Sequence, residues 1–242
     1  MNFQKYRKLL LSLVLFMCVA LIVIVQRSTS LFGEKLSEEV SILLQFAEVV
    51  GIIFTILFTI QQLYGSKEIA RATFIMELNQ NYVENEEYMR VYNTLQSIYD
   101  DKQEGKLPHA TETKKIEKGA ISNYLTFFET IYILKNRGVI SFDIVDDLFA
   151  YRFFLAVHSE LFQKMKLGPQ PENFKNIFKL EKEWLEYRVS IGKNSKEELK
   201  EAVEKCEELK KDPSITVKWK NVYVARPLRG LVDKDEYDKL VQ

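Results

Sequence analysis

Two long apolar stretches near the N-terminus constrain what this 242-residue chain can fold into. Residues 9–25 are apolar except for Ser12, and as a helix they would extend roughly 25 Å at about 1.5 Å per residue. Residues 40–64 contain few polar side chains and would extend roughly 37 Å. The hydrocarbon core of a bilayer is about 30 Å thick. We therefore predict that residues 1–66 form a transmembrane hairpin with helices at 9–25 and 40–64.

The first apolar stretch has a second interpretation, as a cleaved signal peptide. Lys5, Arg7 and Lys8 precede it and the small residues 28–30 follow it, which is the order of regions in such a peptide. Its length favours a membrane span, because the apolar region of a signal peptide covers only about 7–15 residues.

Basic residues lie at both ends of the predicted hairpin. They cluster at residues 5–8 before the first stretch, and Lys67 and Arg71 follow the second. The loop at residues 26–39 contains more glutamate than lysine and arginine. Basic residues are retained on the cytoplasmic side of a membrane. We therefore predict a multi-pass protein of the inner, cytoplasmic membrane with both termini in the cytosol.

Glu48 is the one ionisable residue inside an apolar stretch, and Gln45 lies three residues earlier on the same helix face. An intramembrane carboxyl group is costly unless it is paired or hydrated. One interpretation is a ring of Glu48 side chains in an oligomeric pore, and the other is a carboxylate near the outer interface. Both residues can also hydrogen-bond to a neighbouring helix. The expected partners are therefore the lipid bilayer and a homo-oligomer formed through the transmembrane helices.

Residues 67–211 contain the start and stop signals of helices. Asn85, Ser141 and Ser195 are short polar residues at predicted helix starts, and Ser195 with Glu198 has the spacing of a capping box. Gly138 predicts a helix end in the left-handed conformation. We therefore predict an all-α chain in which residues 67–211 form a cytosolic helical bundle.

Residues 212–242 have a different pattern. Ile215, Val217 and Trp219 alternate with polar residues, which is the period of a strand, so we predict a C-terminal extended arm with a short extended or β segment. Arg226 and Arg229 form a basic cluster in this arm. It is either a contact site for lipid headgroups, a protein or RNA, or a solvated part of the arm.

The composition argues against several classes of function. Lys plus Arg equals Asp plus Glu at 34 each, so the net field gives no reason to expect nucleic acid as a partner. Cys18 and Cys206 have no second cysteine or histidine at ligand spacing, so we predict no disulfide and no metal site. The sequence contains no phosphate loop, dinucleotide turn or nucleophile elbow. We therefore assign no catalytic residue and no cofactor.

Glu77, Glu129 and Arg152 are the charged residues that we single out in the helical region. Each lies within an apolar stretch of a predicted helix, and a buried carboxylate needs a cation or a donor as a partner. Because arginine binds carboxylates in a bidentate manner, one interpretation is a buried charge network that joins three helices. The other is a pocket for an anionic ligand with Arg152 at its floor.

Several sequence blocks carry a resemblance to a known family. The blocks are residues 70–79 (ARATFIMELN), 87–88 (EY), 91–92 (VY), 124–129 (YLTFFE) and 151–154 (YRFF). In these blocks the chain resembles an uncharacterised bacterial family of short membrane proteins, over residues 40–165 or so. The resemblance implies N-terminal hydrophobic helices followed by an all-α cytosolic domain of unknown function.

The function that we expect follows from this layout. Some small two-helix membrane proteins with a cytosolic domain are effectors of bacterial anti-phage defence, an analogy of layout alone. We expect a membrane-anchored helical sensor or effector that binds a cytosolic protein partner or signal and acts through its transmembrane hairpin. Two alternatives stay open. They are a membrane-tethered enzyme or pocket for an anionic nucleotide or lipid headgroup, and a non-catalytic membrane scaffold subunit.

Overall fold

The computed structural model describes residues 36–104, 116–215, 217–219 and 221–242, with side chains from Gln45 onward. All regular secondary structure in these ranges is helical, which confirms the predicted all-α class. The chain divides into two compact units between Ile69 and Ala70. The first predicted span, residues 9–25, lies outside the described ranges, so the hairpin stays a prediction.

Helix α1, Leu36–Glu84, is the described part of the first unit and continues past Ile69 into the second. Its apolar side chains up to Tyr64 are largely exposed, for example Phe46 at 69% and Leu63 at 64%. The most apolar 18-residue window has a mean hydropathy of 1.8 and none of it is buried. By length and composition, α1 is the one helix in the described ranges that can cross a membrane.

The second unit is a helical bundle, as predicted. Its helices are the end of α1, α2 (Glu86–Gln103), α3 (Lys118–Asn136), α4 (Phe142–Val157), the single turn α5 (Glu160–Phe162), α6 (Lys175–Ser190), α7 (Lys196–Lys211) and α8 (Lys234–Leu240). A π-helical turn at Gln163–Leu167 and 3-10 turns at Pro171–Phe174, Val222–Val224 and Leu228–Gly230 complete it.

The predicted helix ends agree with the structure where the signal is local. The Asn85 side chain accepts a hydrogen bond from a backbone N–H of the first turn of α2 at 3.0 Å, and Ser195 with Glu198 forms a complete capping box at the start of α7. Gly138 has a φ of 68°, the left-handed conformation that glycine adopts without strain. Ser141 precedes α4, but its side chain makes no capping bond.

Aromatic rings fill the centre of the second unit. The ring of Phe153 on α4 stacks on Trp184 of α6 with centroids 5.0 Å apart, and lies 5.1 Å from Phe128 of α3. The fully buried rings are Tyr82, Tyr124, Phe128, Phe149, Phe153, Phe154, Phe162, Phe178 and Trp184. Each aromatic pair adds about 0.5–1.5 kcal/mol beyond the area that it buries. Because Tyr82 belongs to this set, the end of α1 is part of the core of the second unit.

Residues 221–242, called here the C-terminal segment, pack on the bundle. The buried apolar residues of this segment include Val222, Val224, Leu228, Val232, Tyr237 and Leu240. Helix α8 packs against α6, where the ring of Tyr237 lies 6.4 Å from that of Phe178. The predicted C-terminal strand is not confirmed, because the described residues from Asp212 onward form 3-10 turns and a helix. Alternation alone is a weak signal where no neighbouring strand supplies hydrogen bonds.

Candidate functional site

Arg152, the predicted centre of a charge network, lies on α4 close to the end of α1. Its Nη1 atom donates a hydrogen bond to Oδ1 of Asn79 at 3.1 Å. Its guanidinium carbon lies 4.6 Å from the ring centre of Tyr82 and 5.8 Å from that of Phe149. Aromatic faces attract cations through the ring quadrupole. The guanidinium group is therefore held by an amide and by aromatic rings.

Tyr82 and Tyr124 form a buried hydroxyl pair next to Arg152. Their phenol oxygens are 2.6 Å apart, and the Tyr124 hydroxyl donates weakly to the Arg152 carbonyl oxygen at 3.4 Å. Burial raises the pKa of both phenols well above the ordinary value, so both keep their protons at neutral pH. Because the carbonyl oxygen can only accept, Tyr82 donates to Tyr124, and this chain of bonds joins α1, α3 and α4.

The two carboxylates that we expected beside Arg152 lie elsewhere. Glu77 is exposed on α1. Glu129 is half-buried, and burial raises the pKa of its carboxyl group although a hydrogen bond with Asn176 opposes the shift. The structure therefore does not bring these three side chains together. Apolar neighbours in the sequence are a poor guide to the face of a helix, since Met76 beside Glu77 is itself 73% exposed.

A network that the sequence analysis missed is centred on Asp146 of α4. Its Oδ1 accepts hydrogen bonds from Nε1 of Trp184 at 2.8 Å and from Nη1 of Arg188 at 2.7 Å, and its Oδ2 accepts from Nζ of Lys193 at 2.7 Å. Burial would raise the pKa of Asp146. The hydrogen bonds from Lys193, Arg188 and Trp184 outweigh it, so the pKa lies below the ordinary value.

Arg188 extends this network to the C-terminal segment. Its Nε atom donates to Oδ1 of Asn194 at 2.7 Å, and its guanidinium carbon lies 3.9 Å from the ring centre of Tyr223. The ring of Tyr223 also contacts Phe154 of the core, with centroids 5.5 Å apart. The buried ion pair therefore also provides a packing surface for the C-terminal segment.

His158 and Glu181 form a second buried pair beneath the C-terminal segment. Nδ1 of His158 lies 2.9 Å from the carbonyl oxygen of Val222, and Nε2 lies 3.2 Å from Oε1 of Glu181. The same Oε1 atom accepts from the backbone N–H of Leu228 at 3.2 Å. Because a carbonyl oxygen can only accept, Nδ1 donates to Val222. The Nε2–Oε1 contact then requires a proton on one of its two atoms.

A third buried side chain holds the middle of the same segment. Nε2 of Gln163 donates to the carbonyl oxygens of Val157 at 2.9 Å and of Arg226 at 2.6 Å. The predicted basic cluster is therefore part of a packed segment: Arg226 is half-buried, and only Arg229 of the pair is exposed.

Gly230 brings the C-terminal segment against α7. A Cβ atom at this position would lie 2.2 Å from Cβ of Cys206 and 2.7 Å from its Sγ, so only glycine allows this approach without a shift of the backbone. Burial raises the pKa of the Cys206 thiol to about 11. The thiol is therefore protonated and enclosed while the segment is in place.

The remaining predicted site residues, Gln45 and Glu48, are exposed on α1 in the first unit. A shallow depression at the start of α2 is lined by Asn85, Glu86, Glu87 and Arg90. Within the described ranges, no three histidine, cysteine, aspartate or glutamate side chains are grouped so that they could hold a metal ion. The networks described above hold their carboxylates in fixed hydrogen bonds, an arrangement that favours structural roles.

Comparison with known proteins identifies a family. A family model described as Domain of unknown function (DUF4760) matches residues 42–184, more than half of the chain, and confirms the resemblance to an uncharacterised family. The match covers α1 from residue 42 to Trp184 of α6 and leaves the C-terminal segment outside. No curated protein and no solved structure matches the chain.

Proposed function

This chain belongs to the DUF4760 family of domains of unknown function, and we propose that it is a non-enzymatic, membrane-anchored helical module. In this proposal the apolar part of α1, together with residues 9–25, holds the chain at the inner membrane of a bacterium. The second unit binds a protein partner or signal in the cytosol, and the apolar helices act on the bilayer in response.

The observation that carries the proposal is the exposure of the apolar part of α1. Large apolar side chains are exposed along the whole of this stretch, including Val49, Ile53 and Leu57. Soluble monomers rarely expose continuous apolar patches of more than a few hundred Å². A bilayer solvates such a surface, and the helix satisfies its own backbone hydrogen bonds there. The covalent continuity of α1 into the second unit supports a link between partner binding and the membrane.

The alternative of an enzyme or an anionic-ligand pocket at Arg152 has less support. A pocket for a phosphate or carboxylate needs a guanidinium group that is open to the ligand. The Arg152 guanidinium group instead lies near Tyr82, Tyr92 and Phe149 and donates to Asn79.

A scaffold subunit, the other alternative, would have the same membrane anchor and the same cytosolic partner as an effector. It differs from an effector in leaving the bilayer intact.

Expression in bacteria separates these possibilities. The full chain, its Glu48→Ala variant and a fragment of residues 67–242 are expressed at matched levels, followed by membrane fractionation, a potential-sensitive dye and colony counts. We expect the full chain to stay in alkali-washed membranes and to depolarise cells, the variant to depolarise them less, and the fragment to be soluble and harmless. An effector in anti-phage defence would also lower phage yield when expressed at a non-toxic level.

Two results would count against the proposal. Recovery of the full chain in the soluble fraction would refute the membrane anchor. Full-length protein that stays in membranes without any change in potential or survival would refute the effector role and favour the scaffold.

A further inference from the structure

Five of the six polar side chains of α1 between residues 45 and 62 lie on one face of the helix, and Gln61 lies on the other side. At about 100° per residue, Gln45, Glu48, Thr55, Thr59 and Gln62 fall within an arc of about 100°. We call these five residues the polar seam. The rest of the circumference between residues 46 and 60 is mainly large and apolar, namely Phe46, Val49, Val50, Ile53, Phe54, Ile56, Leu57, Phe58 and Ile60.

The spacing of the polar seam is that of a helix-packing interface. Its residues recur at intervals of three and four, with Ile52 in the position between Glu48 and Thr55, which is the repeat by which two helices pack along a common seam. Gly51 borders it. Small residues of this kind let two helix backbones approach closely in a membrane.

The chemistry of the seam requires a polar partner. The Thr55 and Thr59 hydroxyls donate to the carbonyl oxygens of Gly51 and Thr55, both at 2.8 Å, so these two donors are satisfied within the helix. The side chains of Gln45, Glu48 and Gln62 make no hydrogen bond to any other described residue. In a hydrocarbon environment an unpaired amide or carboxyl group costs several kcal/mol.

The composition of the chain indicates which partner fits. The other apolar stretch, residues 9–25, offers only Ser12 and Cys18 as polar side chains, which are too few to satisfy two carboxamides and a carboxyl group. A second α1 in parallel orientation presents the same groups at the same depth. The Gln45 carboxamide of one copy can then donate to the Glu48 carboxyl group of the other.

We propose that the polar seam of α1 is a self-association surface whose partner is a second copy of this chain, packed in parallel. This inference rests on the proposed membrane location, because the drive to pair the seam comes from lipid. Beyond that location, it assigns the face of α1 that makes the contact, the parallel orientation of the helices and a second copy of the chain as the partner.

Disulfide crosslinking in native membranes tests the face. The full chain carries Cys18→Ser, keeps the buried Cys206, and receives either Thr55→Cys on the seam or Leu57→Cys on the opposite side as the matched control. Membranes are oxidised, free thiols are blocked before denaturation, and dimers are measured on non-reducing gels. We expect Thr55→Cys to give several-fold more dimer of twice the chain mass than Leu57→Cys.

Removal of the polar groups tests the chemistry. Glu48→Leu or Gln45→Leu should weaken association by roughly threefold, the usual size of one interhelical hydrogen bond in a membrane. Glu48→Gln keeps a hydrogen-bonding group and should leave association near the wild-type level. Energy transfer between labelled full-length chains, diluted stepwise in lipid vesicles, provides the measurement.

The outcomes distinguish this inference from the proposed function. Equal dimer at positions 55 and 57, or no dimer from chains that are in the membrane fraction, would overturn the seam and leave the anchor standing. A Thr55→Cys thiol that bonds to a retained Cys18 of the same chain would also overturn it, because the first stretch would then cover the seam. A full chain that is absent from the membrane fraction would overturn both proposals.

Discussion

Asp146 has a lowered pKa because of its neighbours, although it lies inside an apolar core. The interactions that lower the pKa of Asp146 also stabilise the folded state. They favour the ionised carboxylate, so they contribute to folding at every pH at which Asp146 is ionised. This stabilisation is fully present above the pKa of aspartate in the unfolded chain, about 3.9, and is lost as the pH falls through the lower folded value. The Asp146 network therefore contributes to stability at neutral pH and to acid sensitivity.

Asp146→Asn should lower the free energy of unfolding at pH 7 by about 3–5 kcal/mol, because it leaves the buried Arg188 without its carboxylate. It should also remove part of the loss of stability that the wild type shows below about pH 4. Urea unfolding of the full chain in detergent between pH 3 and 7, followed by circular dichroism, measures both effects. Asp147→Asn is the control, because Asp147 is exposed and makes only a 3.2 Å contact with Lys193. Equal effects of the two substitutions would contradict the prediction.

The helices and the C-terminal segment differ in how far the sequence predicts them. The caps at Asn85 and at Ser195 with Glu198 were predictable, because all of the interacting groups lie within four residues. The bonds that hold the C-terminal segment were not predictable. His158 hydrogen-bonds to the backbone carbonyl of Val222, 64 residues away. Every residue has a backbone carbonyl, so the sequence does not indicate which one His158 will bind.

The same limit explains the candidate site. Arg152 was singled out as an unusual charge, but its partners are the Asn79 amide and aromatic rings, which a search for opposite charges does not find. Asp146 was not singled out from the sequence, although Trp184 and Arg188 are spaced to share one face of α6. Their partner lies 42 residues before Arg188, and the sequence contains no signal of that pairing.

His158→Ala should loosen the C-terminal segment, because it leaves the Val222 carbonyl without a partner and leaves the Glu181 carboxyl group with only the Leu228 N–H. The expected loss is about 1–3 kcal/mol for each group left unsatisfied. A second readout is the rate at which Cys206 reacts with a maleimide at pH 7.5. That rate should rise, since departure of the segment exposes a thiol whose pKa burial raises to about 11.

Gln103→Ala is the matched control for this prediction. Gln103 also donates to a backbone carbonyl near the C-terminal segment, that of Trp219 at 2.9 Å, but the bond is exposed. We expect little change in stability or labelling from its removal. Similar labelling rates in both variants would show that His158 does not hold the segment.

At the scale of the whole molecule, the chain divides into a unit with exposed apolar surface and a unit with its own core. The all-α class followed from the start and stop signals of helices. The predicted bundle of residues 67–211 included the end of α1, but the sequence did not show which helices Tyr82 packs against. Hydrophobic periodicity identifies an inner face but not the partner against which it packs.

A fragment of residues 70–242 should be soluble, helical and cooperative in thermal unfolding, because this range contains a complete aromatic core. A fragment of residues 85–242 is the matched control. It lacks Ile75 and the fully buried Tyr82, and the loss of one large buried ring alone costs about 3–5 kcal/mol. We expect it to be unfolded or aggregated in circular dichroism and gel filtration. Cooperative folding of the shorter fragment would show that α1 is dispensable for the core.

The position of the C-terminal segment also sets an order of events during synthesis. Its residues cover His158, Glu181 and Gln163, so the bundle lacks its last contacts until these residues have left the ribosome. At about 5–20 residues per second, translation needs roughly 9–36 s to proceed from residue 64 to residue 242. Throughout that interval the apolar part of α1 is already made while the bundle is incomplete. The apolar part of α1 is therefore available for recognition before the bundle can close.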